Sequence, residues 1–147
     1  MTFLLDVNVL IALFDPSHVS HDVAHGWFHS VASNSWATCP LTENGVIRIL
    51  SQPNYPNSPG PPSTAAILVA QLRHLPGHQF WADDISLLDD TLVDSTRILT
   101  PGQITDSYLL ALAKFHGGRL ATLDRRLSTS AVADGKAALH IITTSNA

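Results

Sequence analysis

The sequence predicts an α/β fold with a mainly parallel central sheet layered by helices. Short apolar runs alternate with segments of helical periodicity, which favours parallel strands joined by crossover helices. The 147 residues and the hydrophobic fraction of 45% suit one globular domain, which we expect to span residues 1–147. Four acidic residues also stand where predicted strands end or predicted helices begin, and in a parallel sheet these positions share one edge.

The first three elements follow from an apolar run, a proline and a spacing pattern. Residues 2–5 predict a buried strand, and residues 7–14 predict a helix that ends before the following proline, since proline interrupts a continuing helix. A second helix, capped by Ser17 or Ser20, should extend to about residue 32. Its apolar residues repeat every four positions and so share one helix face, at Val23, Trp27 and Val31.

The middle of the chain is divided by a proline-rich segment. Residues 35–38 predict a second strand, and residues 41–50 predict a third helix. Residues 52–62 contain five of the nine prolines, so this segment is predicted to be a long loop without regular structure. A helix over residues 63–74, capped by its first residues, should follow.

The last part of the chain predicts a helix between short strands. Residues 79–81 predict a strand, and residues 83–99 predict a partly helical connection. The helix at 105–115, with Thr105 as its expected cap, should end at two consecutive glycines. Two further strands complete the predicted sheet, at residues 120–123 and 139–142.

Four acidic residues carry the main functional signal of the sequence. They are Asp6, Glu43, Asp106 and Asp124. Each alone could be only a helix cap, a dipole partner or a turn residue. Turn chemistry does not require all four to lie at one predicted sheet edge, where ligand sites form. Four carboxylates there would repel one another unless a cation held them, and oxygen ligands favour Mg²⁺ or Mn²⁺.

Charge and cysteine content limit the classes of function. The formal net charge of −4 argues against bulk electrostatic capture of nucleic acid, although bound cations would reverse the local sign. Half of the Lys and Arg residues bracket Asp124 in sequence, namely Lys114, Arg119, Arg125 and Arg126. The single cysteine is typical of a reducing compartment, and no apolar run is long enough to span a membrane. We therefore expect a cytoplasmic protein.

The segments that carry the four acids resemble the PIN-domain family, and within it the VapC-type ribonuclease toxins of bacterial toxin–antitoxin pairs. The matching segments occur in the family's order along nearly the whole chain, at residues 3–10, 42–45, 104–113 and 120–125. Val7 is a departure, because many members carry a small hydroxyl residue between the acid and the asparagine. The loop at 52–62 is also longer than the family's minimum.

The resemblance implies a three-layer α/β/α fold and a Mg²⁺- or Mn²⁺-dependent endonuclease that cleaves RNA. It also implies a homodimer and inhibition by a cognate VapB-type antitoxin, whose C-terminal segment would lie across the active site. A cation held by the carboxylates would activate a water molecule and neutralise the charge that develops on the phosphate.

All four acids are candidate catalytic residues. We expect Asp6 and Asp106 to be the main metal ligands, with Asp124 on a second metal or its shell. Glu43 could be a ligand or a general base, and the sequence does not separate these roles. Three neighbouring residues are candidates for supporting the ligands or contacting phosphate, namely Asn8, Thr122 and Arg125.

Other interpretations compete with a toxin nuclease. His21, His25 and His29 share a helix face and could bind Zn²⁺, but the glutamate of the metalloprotease motif is missing, so a partly buried polar face is preferred. A non-catalytic interaction module would use the acids only as caps, and a PIN-like nuclease could also act outside toxin–antitoxin pairs. A phosphotransfer receiver domain would need adjacent acids after the first strand and a lysine after the last, and the sequence has neither.

Overall fold

Five parallel strands form the centre of the protein in a computed structural model, which describes residues 1–144. The strands are β1 (Phe3–Leu5), β2 (Trp36–Thr38), β3 (His78–Phe80), β4 (Arg119–Thr122) and β5 (Leu139–Ile141). They lie in the order β3-β2-β1-β4-β5, and every neighbouring pair is parallel. The first strand is therefore central, and the carboxyl ends of all five strands meet at one edge.

Helices cover both faces of this sheet, which confirms the predicted three-layer α/β/α fold. The helices are α1 (Val7–Phe14), α2 (His21–Trp27), α3 (Pro40–Leu50), α4 (Pro62–Arg73) and α5 (Ile104–Phe115). Alternate strand residues point to opposite faces. Phe3 and Leu5 pack in the core formed with α1 to α4, whereas Leu4 and Leu120 pack in the core formed with α5. Within residues 1–144, no helix is long and apolar enough to cross a bilayer.

Two connections differ from the sequence-based prediction. The second helix does not stay α-helical to residue 32, because its last turn, Phe28–Ala32, is a π-helix. Residues 83–99 contain a 3₁₀ turn at Ser95–Arg97 and no α-helix. The carboxylates of Asp89 and Asp94 accept hydrogen bonds from main-chain N–H groups two residues ahead, and such local turns compete with helix formation.

The start of α5 also differs from the prediction, because Thr105 is not its cap. The helix begins at Ile104, and the preceding residue, Gln103, makes no side-chain capping bond. A 3₁₀ turn at Pro101–Gln103 leads directly into the helix, so the chain arrives already in a helical conformation. The end of α5 is as predicted, since Gly117 follows with a positive φ of 70°.

Helices α1 and α3 approach each other closely at Gly45. A Cβ atom at this position would lie 2.8 Å from Cγ2 of Val7. Val7 stands where many members of the family that this sequence resembles carry a small hydroxyl residue, and its volume is accommodated by the missing side chain at position 45. Because α1 follows β1 and α3 follows β2, this contact sets the spacing of two elements that carry candidate acids.

The proline-rich loop is irregular, as predicted, and Asp15 attaches it to the end of α1. The Asp15 carboxylate accepts hydrogen bonds from the Tyr55 hydroxyl at 2.5 Å, the Asn57 side chain at 2.8 Å and the Ser17 main chain at 2.9 Å. These bonds, that from Tyr55 foremost, hold the pKa of Asp15 below its usual value. The long loop is therefore tied to the body of the protein by one buried carboxylate.

Candidate active site

Asp6 is the buried anchor of the candidate site. It directly follows β1, is 7% exposed and caps α1 by accepting a hydrogen bond from the Val7 main chain at 2.8 Å. Thr122, the last residue of β4, donates its hydroxyl to the other Asp6 carboxylate oxygen at 2.8 Å. Because β1 and β4 are neighbouring strands, their pairing brings these distant parts of the sequence into contact.

Asn8 connects the start of α1 to the end of β4. Its side-chain Oδ1 accepts a hydrogen bond from the Leu123 main chain at 3.1 Å, and its Nδ2 donates to the Thr122 hydroxyl at 3.0 Å. The same hydroxyl oxygen accepts a hydrogen bond from the Asp124 main chain at 3.1 Å. Asn8 and Thr122 together fix the turn that carries Asp124.

Asp106 completes a group of three aspartates from separate elements. It lies in the first turn of α5, which packs against β1 and β4. Burial, followed by the negative charges of Asp6 and Asp124, raises the pKa of Asp106 to about 6. Burial is also the main cause that raises the pKa of Asp6, and the charge of Asp124 adds a smaller increase. The hydrogen bonds from Thr122 and Val7 lower this pKa in part. The three carboxylates therefore lie close enough to repel one another.

Glu43 belongs to the same sheet edge, but its carboxylate has different partners. It lies in the first turn of α3, after β2. Thr38, the last residue of β2, donates its hydroxyl to Glu43 Oε2 at 2.7 Å, and Nη1 of Arg73 lies 3.5 Å from Oε1. The charges that raise the pKa values of buried Asp6 and half-buried Asp106 come from other aspartates. The structure thus groups three of the predicted acids and places Glu43 with a cation of its own.

Sequence reasoning did not identify the residues around Glu43. His78 Nε2 lies 2.8 Å from the Thr38 hydroxyl oxygen. Because the single hydroxyl proton of Thr38 is donated to Glu43, His78 must donate from Nε2. Burial, followed by the charge of Arg73, lowers the pKa of His78, which favours the neutral imidazole with its proton on Nε2. These contacts join four elements, and the only sequence signal is that β2, like β4, ends in threonine.

The basic residues that bracket Asp124 in sequence are dispersed in the structure. Lys114 donates to the main-chain carbonyl of Ala133. Arg119 begins β4 and so lies at the opposite sheet edge from Asp124. Arg125 is exposed directly after Asp124, and it remains a candidate phosphate contact.

The histidines of α2 bind main-chain carbonyl groups. His21 Nδ1 lies 2.7 Å from the carbonyl oxygen of Ala12, and His25 Nε2 lies 2.9 Å from that of Leu13. Both carbonyls belong to the last turn of α1, where carbonyl groups have no partner within the helix. The structure therefore favours the polar-face interpretation of these histidines over a zinc site.

The aspartates suit a hydrated divalent ion better than a fully protein-bound one. In residues 1–144, no three His, Cys, Asp or Glu side chains are arranged so that they could hold a metal ion by themselves. Mg²⁺ usually keeps several waters and is bound through one or two carboxylates together with substrate phosphates. Asp6, Asp106 and Asp124 offer only oxygen donors, and their mutual repulsion favours a cation between them.

Comparison with known proteins identifies the family of this chain. The chain matches the PIN domain family over residues 3–132. It is 43% identical to ribonuclease VapC44 of Mycobacterium tuberculosis over 143 residues, which cover 97% of this chain and 99% of that protein. It is 44% identical to ribonuclease VapC39 of the same species over 133 residues, which cover 90% of this chain and 96% of that protein.

A solved structure shows the same fold. The crystal structure of M. tuberculosis VapC20, described as a sarcin–ricin-loop-cleaving toxin, matches with a TM-score of 0.63 at 12% sequence identity. The match covers 90% of this chain and 97% of that chain. The fold, the family match and the relatives show that this chain belongs to the PIN-domain family. Within that family it is of the VapC ribonuclease type, which confirms the resemblance found in the four acidic segments.

Proposed function

We propose that this protein is the toxin of a type II toxin–antitoxin pair and cleaves RNA as a Mg²⁺- or Mn²⁺-dependent endoribonuclease. The observation that carries the proposal is the proximity of Asp6, Asp106 and Asp124, from three separate elements, at the carboxyl edge of the sheet. Carboxylates that raise one another's pKa repel when ionised, and a cation bound between them relieves this repulsion. The relation to proteins named ribonucleases supports RNA as the substrate and favours a nuclease over an interaction module.

We assign Asp6 and Asp106 as the main ligands of the ion, and Asp124 to a second ion or to a hydration shell. The ion would activate a water molecule for attack and neutralise charge on the phosphate. Thr122 donates a hydrogen bond to the Asp6 carboxylate, and Thr122 and Asn8 accept hydrogen bonds from the main chain of the turn that carries Asp124. This support reduces the reorganisation needed when substrate binds.

Glu43 and Arg125 would act on the substrate side of the site. Thr38 and Arg73 hold the Glu43 carboxylate in place, so it is suited to orient the attacking water or to accept its proton. Since Arg73 already offsets the charge of Glu43, we favour this role over that of a primary metal ligand. Arg125 is exposed beside Asp124 and would contact a phosphate.

The family relation supports several further assignments. We propose that a VapB-type antitoxin inhibits the protein by covering the site, and that the toxin acts as a homodimer in the cytoplasm. We also propose that residues 1–147 form one domain, since the family match covers residues 3–132.

RNA cleavage by the purified protein tests the proposed function. We expect cellular RNA to be cut at discrete positions in Mn²⁺ or Mg²⁺, and we expect excess EDTA to abolish cleavage reversibly. Cleavage that is undiminished in EDTA would contradict the metal dependence, and intact RNA under all metal conditions would contradict the nuclease assignment. Sequencing the cleaved ends from cells that express the protein would identify the target.

A further inference from the structure

A cavity of about 320 Å³ lies on the β3 side of Glu43 and has no assigned function. It is lined by residues from the end of α4 and the start of β3, namely Ala70, Arg73, His74 and His78. None of these lining residues is acidic, although the whole chain has a formal net charge of −4. The cavity therefore presents one arginine, Arg73, and no acidic side chain beside a proposed active-site residue.

Arg73 joins this cavity to Glu43. Its Nη1 lies 3.5 Å from Glu43 Oε1, and its side chain is 41% exposed. A guanidinium group has five N–H donors, so a single contact with Glu43 leaves donors available to another acceptor. Because Arg73 also lines the cavity, a phosphate bound there would lie within one side-chain length of the active site.

Phe80 supplies an aromatic surface next to the cavity, because its ring contacts Arg73, which lines the cavity. Its side chain is 46% exposed, and the Arg73 guanidinium carbon lies 4.7 Å from the centroid of its ring. Unstacked bases of single-stranded RNA stack on aromatic rings and on guanidinium planes, while arginine also binds phosphate. An exposed ring paired with a partly exposed arginine therefore offers both groups that a nucleotide needs.

We propose that this cavity and the adjoining Phe80 ring together form an RNA subsite that receives the nucleotide next to the scissile phosphate. The base stacks on Phe80, and Arg73 contacts a phosphate of the same strand. The inference rests on the proposed function, because it takes RNA as the substrate and Glu43 as part of the active site. Phe80 contacts neither Glu43 nor the reacting phosphate and so acts on substrate affinity alone, whereas Arg73 acts on affinity and also holds Glu43.

Binding of a short, fluorescein-labelled single-stranded RNA in EDTA tests the stacking contact. We expect Phe80→Leu to weaken binding about tenfold, the scale of one lost base–aromatic stack, and Phe80→Tyr to retain affinity. Phe115→Leu is the matched control, because Phe115 is 53% exposed and lies at the far end of α5. We expect this control to leave affinity unchanged.

The salt dependence of the same binding tests the phosphate contact. The slope of log affinity against log salt concentration is negative. Arg73→Ala should make it less steep by about 0.7, the value for one phosphate of a single strand. Arg73→Lys should keep the slope, since the charge remains. Arg97→Ala is the control, because exposed Arg97 pairs only with Asp94, at 3.3 Å, within the described residues.

The proposal is overturned if Phe80→Leu binds RNA as tightly as Phe115→Leu, or if Arg73→Ala and Arg97→Ala give the same slope. It is also overturned if Phe80→Leu and Arg73→Ala keep RNA affinity and lose only the binding of a protein inhibitor. In a cleavage assay, Phe80→Leu should raise KM while kcat stays nearly constant. Binding in EDTA does not require cleavage, so failure of the nuclease assignment would be distinguishable. If Phe80→Leu lowers Tm, the salt slopes of Arg73→Ala and Arg73→Lys decide whether the subsite exists.

Discussion

Two threonine–carboxylate pairs at nearby strand ends have the same hydrogen-bonding geometry and different electrostatic surroundings. Thr122 ends β4 and donates to Asp6 at 2.8 Å, whereas Thr38 ends β2 and donates to Glu43 at 2.7 Å. Both threonines are fully buried. Asp6, however, lies among other aspartates, while Glu43 lies beside Arg73. The same contact thus holds one carboxylate that needs an external cation and one that already has an internal cation.

The difference indicates that Asp6 and Glu43, which both lie where a helix begins after a strand, have separate roles. Repulsion between like charges is relieved when a cation binds, so the aspartate group should dominate metal affinity. Glu43 gains less from a metal ion because Arg73 already offsets its charge. Substitutions at the two pairs should therefore affect metal binding and cleavage in different proportions.

The largest expected effect comes from removing a charge in the aspartate group. Asp6→Asn or Asp106→Asn should reduce RNA cleavage at least about a thousandfold, because groups that act as a unit in catalysis fail together. Asparagine keeps the shape of the side chain and can still cap a helix, so the fold should survive. Cleavage rates and melting curves measured on the same samples check this expectation. Near wild-type activity in a folded variant would remove that residue from the site.

A smaller effect is expected when the threonine hydroxyls are replaced by methyl groups. Thr122→Val should lower activity by about 10–100-fold, the scale reported for groups that orient metal ligands. Thr38→Val should lower activity less, because Arg73 continues to hold Glu43. Cleavage rates across a Mn²⁺ titration measure both, and only Thr122→Val should require more Mn²⁺. Equal shifts in the Mn²⁺ requirement would contradict the distinction between the two pairs.

The smallest effect is a pH dependence of metal-free stability. The pKa of Asp106 rises to about 6 in the folded state, so the folded protein holds this proton more tightly than the unfolded chain. Protonated Asp106 therefore stabilises the folded state at low pH, and this contribution is lost as the pH rises from about 4 to 6. Relative to Asp106→Asn, the wild-type protein should lose on the order of 1 kcal/mol, since partial exposure screens the repulsion.

Melting curves in EDTA from pH 4 to 7 measure this loss as the difference between the two proteins. Groups that titrate equally in both, such as the histidines, cancel in that difference. The variant should become the more stable protein toward neutral pH. Curves that stay parallel over the whole range would show that Asp106 is not under the repulsion described here.

Much of the fold could be predicted because its signals are local. The five strands and five helices found in residues 1–144 lie within a few residues of their predicted positions, since apolar runs, spacing and glycine stops act over short segments. The predictions were wrong where local polar contacts decided the conformation. Asp89 and Asp94 form turns in place of a helix, and a 3₁₀ turn before α5 removes the role expected of Thr105.

The candidate site could be predicted only in part. Asp6, Asp106 and Asp124 were recognisable because each stands at an element boundary, and topology alone brings such positions to one edge. The surroundings of Glu43 could not be predicted, because Arg73 contacts it from α4 and His78 contacts its partner Thr38 from β3, and no sequence spacing rule governs such side-chain contacts. The catalytic roles of Glu43 and of the three aspartates stay predictions.

Calorimetric titration of Mn²⁺ into metal-free protein at neutral pH tests the central claim most directly. The claim is that the aspartates, and not Glu43, hold the divalent ion. We expect binding by the wild-type protein, at least about tenfold weaker binding by Asp106→Asn, and nearly unchanged binding by Glu43→Gln. Absence of binding in the wild-type protein, or equal affinity in wild type and Asp106→Asn, would contradict the account.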